Sequence, residues 1–145
     1  MVNESPMTSD QELYDELSVY TLTHPSSAFL HQHVVDAYTA QHASHRTKPI
    51  GLVFALIGLY LFIEKGLTGR QVQKMHMRLA NRRKQWPTID PPQAKTEITV
   101  ADVLAAVPGG QRDNAIRVWC TAVWETWNSQ RSMIVKLVQE ELDIT

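Results

Sequence analysis

The sequence predicts an all-α protein, a compact up-and-down bundle of four to five main helices with one central apolar helix. Three observations predict it. Apolar residues recur at helical spacing in almost every segment, and no stretch alternates as a strand would. Two capping-box patterns, Ser9-Asp10-Gln11-Glu12 and Thr68-Gly69-Arg70-Gln71, open two of these segments. The run IGLVFALIGLYLFI, residues 50–63, is uncharged throughout. A bilayer span needs about 20 residues, and Lys48 and Glu64 bracket the run closely. It therefore reads as a buried helix inside a bundle.

The elements follow in order. Leu13, Leu17 and Tyr20 share a face of the first helix, which His24-Pro25 stops. Ser26 or Ser27 is placed to cap the second, running to about Ser44. Pro49 suits the first turn of the apolar helix, and Gly66 its end. A fourth helix runs from Thr68 to about Lys84. The segment 86–98, with three prolines, predicts a surface loop. Thr99 to Val107 is a short helix closed by Pro108-Gly109-Gly110. A long final helix spans Gln111 to Leu142, with a bend expected near Asn128-Ser129. All of this fits a single domain over 1–145, with residues 1–8 flexible.

Composition narrows the setting. Hydrophobic residues make up 43% and charged residues 20%, an ordinary globular balance. The single Cys120 excludes an internal disulfide and fits the cytoplasm. The acidic start MVNESPMTSDQELYDEL lacks the basic and apolar regions of a signal peptide. The net charge of -1 conceals segregation: residues 1–45 hold six acids and no Lys or Arg, whereas 46–95 hold ten bases and two acids. Such complementary faces are expected to be solvated or paired within the fold.

The chemistry concentrates in HQHVVDAYTAQH, residues 31–42, with three of the six histidines. A helix turns about 100° and rises about 1.5 Å per residue. His31, Val35, Tyr38 and His42 fall along one stripe, and Phe29, His33, Asp36, Ala37 and Ala40 along another. His31 and His42 lie roughly 16 Å apart along the axis, so the three histidines of this helix cannot share one ion. His33 and Asp36, spaced i, i+3, face one way among small apolar residues and should point inward. In the fourth helix Val72, His76, Leu79 and Ala80 form the inward stripe. His33, Asp36 and His76 could thus converge as a site for a divalent metal: zinc, iron, manganese or nickel. Glu12, Asp15, Glu16 or Glu125 are placed to add ligands. The alternatives are a metal-free acid–base pair and a buried hydrogen bond that only orients helices. His-x-x-Asp is not a specific motif, and no HExxH or CxxC accompanies it.

Other residues carry weaker signals. Tyr38 and His42, at i, i+4, can touch, and with Gln41 and Glu64 they are candidate ligand-binding residues. Glu64 stands at the negative end of its helix and calls for a basic partner such as Lys65, Arg70 or Arg46. Arg70, Lys74 and Arg78 form a basic face, extended by Arg82-Arg83-Lys84. That face would suit an acidic ligand or nucleic acid, although no recognition motif accompanies it and nucleic acid is the weaker expectation. Ile116, Trp119, Val123, Trp127, Ile134 and Leu137, flanked by Cys120 and Trp124, form a stripe wide enough for the core and also for a dimer interface.

VVDAYTAQH (34–42), IGLYLFIEKG (57–66) and VADVLAAV with WCTAVWETW (100–127) resemble a family of short bacterial proteins of unknown function. The resemblance covers about residues 13–140. It implies no reaction. It draws attention to Asp36, Tyr38, Gln41, His42, Glu64, Trp124 and Trp127.

The leading functional expectation is a cytoplasmic, self-associating helical protein with a metal- or ligand-binding site between helices. Any catalysis would be metal-assisted hydrolysis or acid–base chemistry, and a small molecule is the expected ligand. The alternative is a homodimeric structural or interaction protein without chemistry.

Overall fold

The computed structural model describes residues 6–24, 28–82, 85–93 and 95–144, with side chains from Asp10 onward. Its order is α1 (Pro6–Thr23), α2 (Leu30–Gln41), α3 (Pro49–Ile63), α4 (Gly69–Ala80), α5 (Val100–Ala105), α6 (Gly110–Thr126), a 3-10 turn (Asn128–Gln130) and α7 (Arg131–Leu142). No strand occurs among the described residues, so the all-α expectation holds.

α3 is the centre. Leu52, Val53, Ala55, Leu56, Ile57, Gly58, Leu59, Tyr60, Leu61 and Phe62 are all buried, because α2, α4, α6 and α7 pack around it. A helix apolar on every side needs such a cage. No helix among the described residues is long and apolar enough to cross a membrane.

Paired contacts give the chain directions. Thr21 meets His31, Tyr14 stacks on Tyr38, and His42 reaches Asp10, so α1 and α2 run antiparallel. His33 stacks on Phe62 while Asp36 lies against Gly58, so α2 and α3 are antiparallel too. His76 contacts Phe54, and the short turn from α3 leads directly into α4, which therefore reverses again.

Several start and stop signals act as predicted. Pro49 opens α3. Gly66, at φ 71°, turns the chain out of it, with the Gly66 N–H bonded to the Phe62 carbonyl. At Thr68 both halves of the capping box form: Gln71 N–H donates to Thr68 Oγ1 (3.2 Å), and Thr68 N–H donates to Gln71 Oε1 (2.8 Å). The expected bend near Asn128-Ser129 is a full break between α6 and α7.

Other boundaries differ. α1 begins at Pro6, ahead of the Ser9 signal, and so takes in part of the stretch expected to be flexible; residues 1–5 lie outside the described residues. Ser26 and Ser27, expected to cap α2, lie outside the described residues; the N-cap of α2 is Phe29 at φ 47°. α2 ends at Gln41 rather than Ser44, and α5 spans only Val100–Ala105. The α5 start has a signal that spacing alone did not single out: Thr99 N–H donates to Asp102 Oδ2 (2.8 Å). Arg83 and Lys84, expected to extend the basic face, are outside the described residues.

The tryptophan-rich stripe is core. Ile116, Trp119, Cys120, Val123, Trp124, Trp127, Ile134 and Leu137 are buried within the protomer. The dimer-interface variant of that stripe is therefore corrected, because its apolar surface is already spent on α2, α3 and the protomer's own interior.

Candidate functional site

α2 delivers its polar residues inward as the helical wheel predicts: His33, Val34, Asp36, Ala37 and Ala40 are buried. Asp36 faces Gly58 of α3. A Cβ at position 58 would stand 1.9 Å from Asp36 Oδ2 and 3.2 Å from His76 Nε2. The glycine thus makes the space in which a carboxyl group lies against the backbone of an apolar helix.

Three residues of α3 at successive helical turns, Phe54, Gly58 and Phe62, receive the polar groups one by one. His76 Nε2 donates to the Phe54 carbonyl (2.8 Å), and its ring stacks on Phe54 with centroids 5.3 Å apart. Asp36 lies at Gly58. His33 stacks on Phe62, centroids 3.5 Å apart and planes within 8°.

Gln32 bridges the outer side. Its Nε2 donates to Asp36 Oδ1 (3.1 Å) and points at His76 Nδ1 (3.5 Å). With Nε2 of His76 committed as a donor, Nδ1 must accept, which makes this imidazole neutral. Burial agrees, holding the His76 pKa below the usual histidine value against the opposing pull of the Phe54 carbonyl.

Asp36 and His33 are the costly members. Burial pushes the Asp36 carboxyl well above the ordinary carboxylate range, and the Gln32 hydrogen bond only partly offsets it. Burial, and then the nearby Arg117 charge, lowers His33 to about 4. At neutral pH the seam therefore holds two neutral imidazoles beside a carboxyl group whose burial favours its protonated form. Asp36 Oδ2 and both ring nitrogens of His33 are buried with no protein hydrogen-bond partner.

The expected metal triad is corrected. Among the described residues no three His, Cys, Asp or Glu side chains come together to hold an ion. The i, i+3 spacing put His33 and Asp36 on one face, but the antiparallel partner separates them. One rises against Phe62 and the other drops against Gly58, a helical turn apart. Glu12, Asp15, Glu16 and Glu125, suggested as further ligands, are all exposed.

The remaining candidates hold helices together. Gln41 accepts from the Trp119 indole (2.9 Å) and donates to the Ile98 carbonyl (2.7 Å), tying α6 and the loop to α2. Tyr38 is sandwiched between Tyr14 and His42, with centroids at 4.0 and 4.1 Å. Glu64 accepts from the Trp124 indole (2.8 Å) and pairs through both carboxylate oxygens with Arg131. That hydrogen bond with Arg131 is the main reason its pKa is lowered. The expected partners of Glu64 are thereby corrected, since Arg131 comes from α7 and Lys65 adds only a smaller electrostatic pull. Arg70, Lys74 and Arg78 do form an exposed face, as expected, although Arg70 also lies 4.0 Å over the Phe29 ring.

Gln32, Gly58, Phe54 and Phe62 were not singled out from sequence. A Gln four residues before an Asp on one helix and a lone Gly within an apolar helix are the signals that could have found the first two.

Several open cavities lie away from this seam. One of about 430 Å³ is lined by Trp86, Met133 and Leu137. Two others, sharing Ile98, Asn114 and Val118, run along the outer face of α6.

A model for a family of unknown function, DUF5946, matches residues 8–128, and the chain belongs to that family. No curated protein and no solved structure matches it.

Proposed function

We propose that this member of a family without an assigned activity binds a small, neutral, polar ligand at the seam of α2, α3 and α4. Gln32, His33, Asp36 and His76 are the contacting residues. The observation that carries the reading is the set of buried polar atoms at Asp36 and His33 that no protein group satisfies. Each such atom costs roughly 1–3 kcal/mol. Positions used for packing alone would be served better by apolar side chains.

The protonation states define the ligand class. Burial favours the protonated form of Asp36, which would offer an O–H, and neutral His33 offers one N–H and one acceptor nitrogen. That set suits a molecule carrying both donors and acceptors and no net charge. A divalent metal ion would need ligands beyond His33, Asp36 and His76. Gln32 and His76 are only partly buried and form the outer edge through which a ligand would enter. The buried lone Cys120 accords with a cytoplasmic setting.

Native mass spectrometry of the purified full chain, followed by small-molecule analysis of the denatured protein, tests the reading. The expected result is a small organic compound released by the wild type and absent from His33→Leu/Asp36→Leu, with no effect of chelator on melting. Nothing released from the wild type, together with a higher melting temperature for the double variant, would overturn it.

The second reading, a structural or interaction protein, is favoured by the use of Gln41, Tyr38, His42 and Glu64 in helix-to-helix contacts. It predicts that second result.

A further inference from the structure

α6 turns Ile116, Trp119, Cys120 and Val123 into the core and a mixed face outward. At about 100° per residue, Asn114, Val118, Thr121 and Glu125 fall within about 60° of one another, on the side opposite those buried residues. Arg117 borders this face on one flank and Ala122 on the other. Asn114, Arg117, Val118 and Glu125 are exposed, with Val118 47% accessible. An open cavity of about 440 Å³ runs along the face, bounded by Val118, Thr121, Ala122 and Glu125. Arg117 lies at the edge with its guanidinium 5.2 Å over the Phe62 ring. Arg117 and Glu125 are about 12 Å apart along the helix axis, so they do not pair with each other. Among the described residues neither forms an ion pair.

This face is complementary to itself. A two-fold axis that lies in the plane of contact and crosses α6 at right angles, level with Thr121, sets α6 antiparallel against its own copy. Residues equally far from Thr121 on either side then lie level across the contact. Arg117, four residues before Thr121, meets the partner's Glu125, four residues after it. Symmetry makes that pair twice. Thr121 faces its own copy at the axis. Val118 comes level with the gap between the partner's Ala122 and Glu125, where it enters the open cavity as a knob enters a hole. Thr121 and Ala122 are small enough to let the two helices approach.

We propose that a second copy of this chain is the occupant of the outer face of α6, forming a two-fold dimer of antiparallel helices. The cation and the acid placed evenly about a small residue are the reason: a second copy supplies the matching acid and cation at the same spacing. The ion pairs fix register more than affinity, because exposed pairs contribute little each. One helix pair also falls short of the roughly 1,200–2,000 Å² buried in stable complexes, so the dimer is weak. The tryptophan-rich stripe stays in the core, since it occupies the opposite side of α6.

Sedimentation of the full chain over a concentration series tests it. A monomer–dimer equilibrium is expected for the wild type. Arg117→Glu alone and Glu125→Arg alone each weaken it roughly tenfold or more, by setting like charges opposite one another at both ends of the contact. The two changes in one chain restore the dimer, and mixing the two single variants gives a heterodimer. Thr121→Arg places two cations against each other at the axis and leaves a monomer. Glu125→Arg and Thr121→Arg keep the test decisive should Arg117→Glu disturb the packing on Phe62, and a wild-type melting temperature for each separates loss of the dimer from loss of the fold. A wild type that is monomeric at every concentration would overturn the proposal. So would a dimer indifferent to both Glu125→Arg and Thr121→Arg, or a monomer that carries a bound peptide in native mass spectrometry and loses it in Glu125→Arg.

Discussion

At Asp36 the fold keeps a proton that the unfolded chain would release above about pH 4. Stability attributable to this residue therefore falls as pH rises, by about 1.4 kcal/mol per unit until the folded group itself ionises. His33 acts in the opposite sense. It stays neutral in the fold down to about 4, whereas the unfolded chain takes up a proton below about 6.5. Its contribution is lost as pH falls through that interval. Between about pH 4 and 6.5 the two slopes oppose each other in the wild type. Asp36→Asn keeps the acceptor for Gln32 and removes the acid, so it should melt higher at pH 7. Its stability should also drop more steeply on acidification than that of the wild type. His33→Leu should show a shallower drop. Denaturant titrations at several pH values measure both slopes, and parallel profiles for all three proteins would refute the assignment.

Among the elements, α2 and α3 meet through one missing side chain. Gly58→Ala ought to gain up to about 1 kcal/mol from helix propensity. It should instead lose roughly 1–3 kcal/mol, because the new Cβ would fall 2.7 Å from Asp36 Cγ. Adding Asp36→Ala empties the contested space and should recover most of the loss, a coupling that a double-mutant cycle reads directly. Gln41 is the second fastening of α2. Gln41→Ala leaves the buried Trp119 indole N–H without its acceptor and should cost roughly 1–3 kcal/mol, measured by urea unfolding. The elements themselves were largely legible in the sequence. Pro49, the Thr68–Gln71 box and the uninterrupted apolar run act locally, and local chemistry survives folding. What the wheel could not supply is the partner opposite each residue. It set His33, Asp36 and His76 facing inward, but Phe62, Gly58 and Phe54 determine how far apart they stand. Glu64 illustrates the same gap. Its need for a cation was readable, yet Arg131 lies 67 positions away in sequence.

For the whole molecule, long-range fastenings decide how separate helices become one unit. The Tyr20 hydroxyl accepts from Gly109 N–H (2.8 Å) and donates to Asp113 (3.1 Å), joining α1 to the start of α6. Gln41 secures the proline-rich loop, and Glu64 secures the break between α6 and α7. At the α1–α2 connection, Gly69 lets the Phe29 carbonyl pass where a Cβ would stand 1.8 Å from it, so the start of α4 clamps that connection. The enclosure of α3 by four other helices has a consequence in time as well as in energy. Its amide protons can reach solvent only when the cage is dismantled, so their exchange with deuterium should run at the rate set by global unfolding. α4, open to solvent along its basic face, should exchange through cheaper local openings. The slowest-exchanging amides of α3 would then give the free energy of the entire fold without denaturant, and a small change at Asp36 or Gln41 of α2 could be read from a helix whose own sequence is untouched.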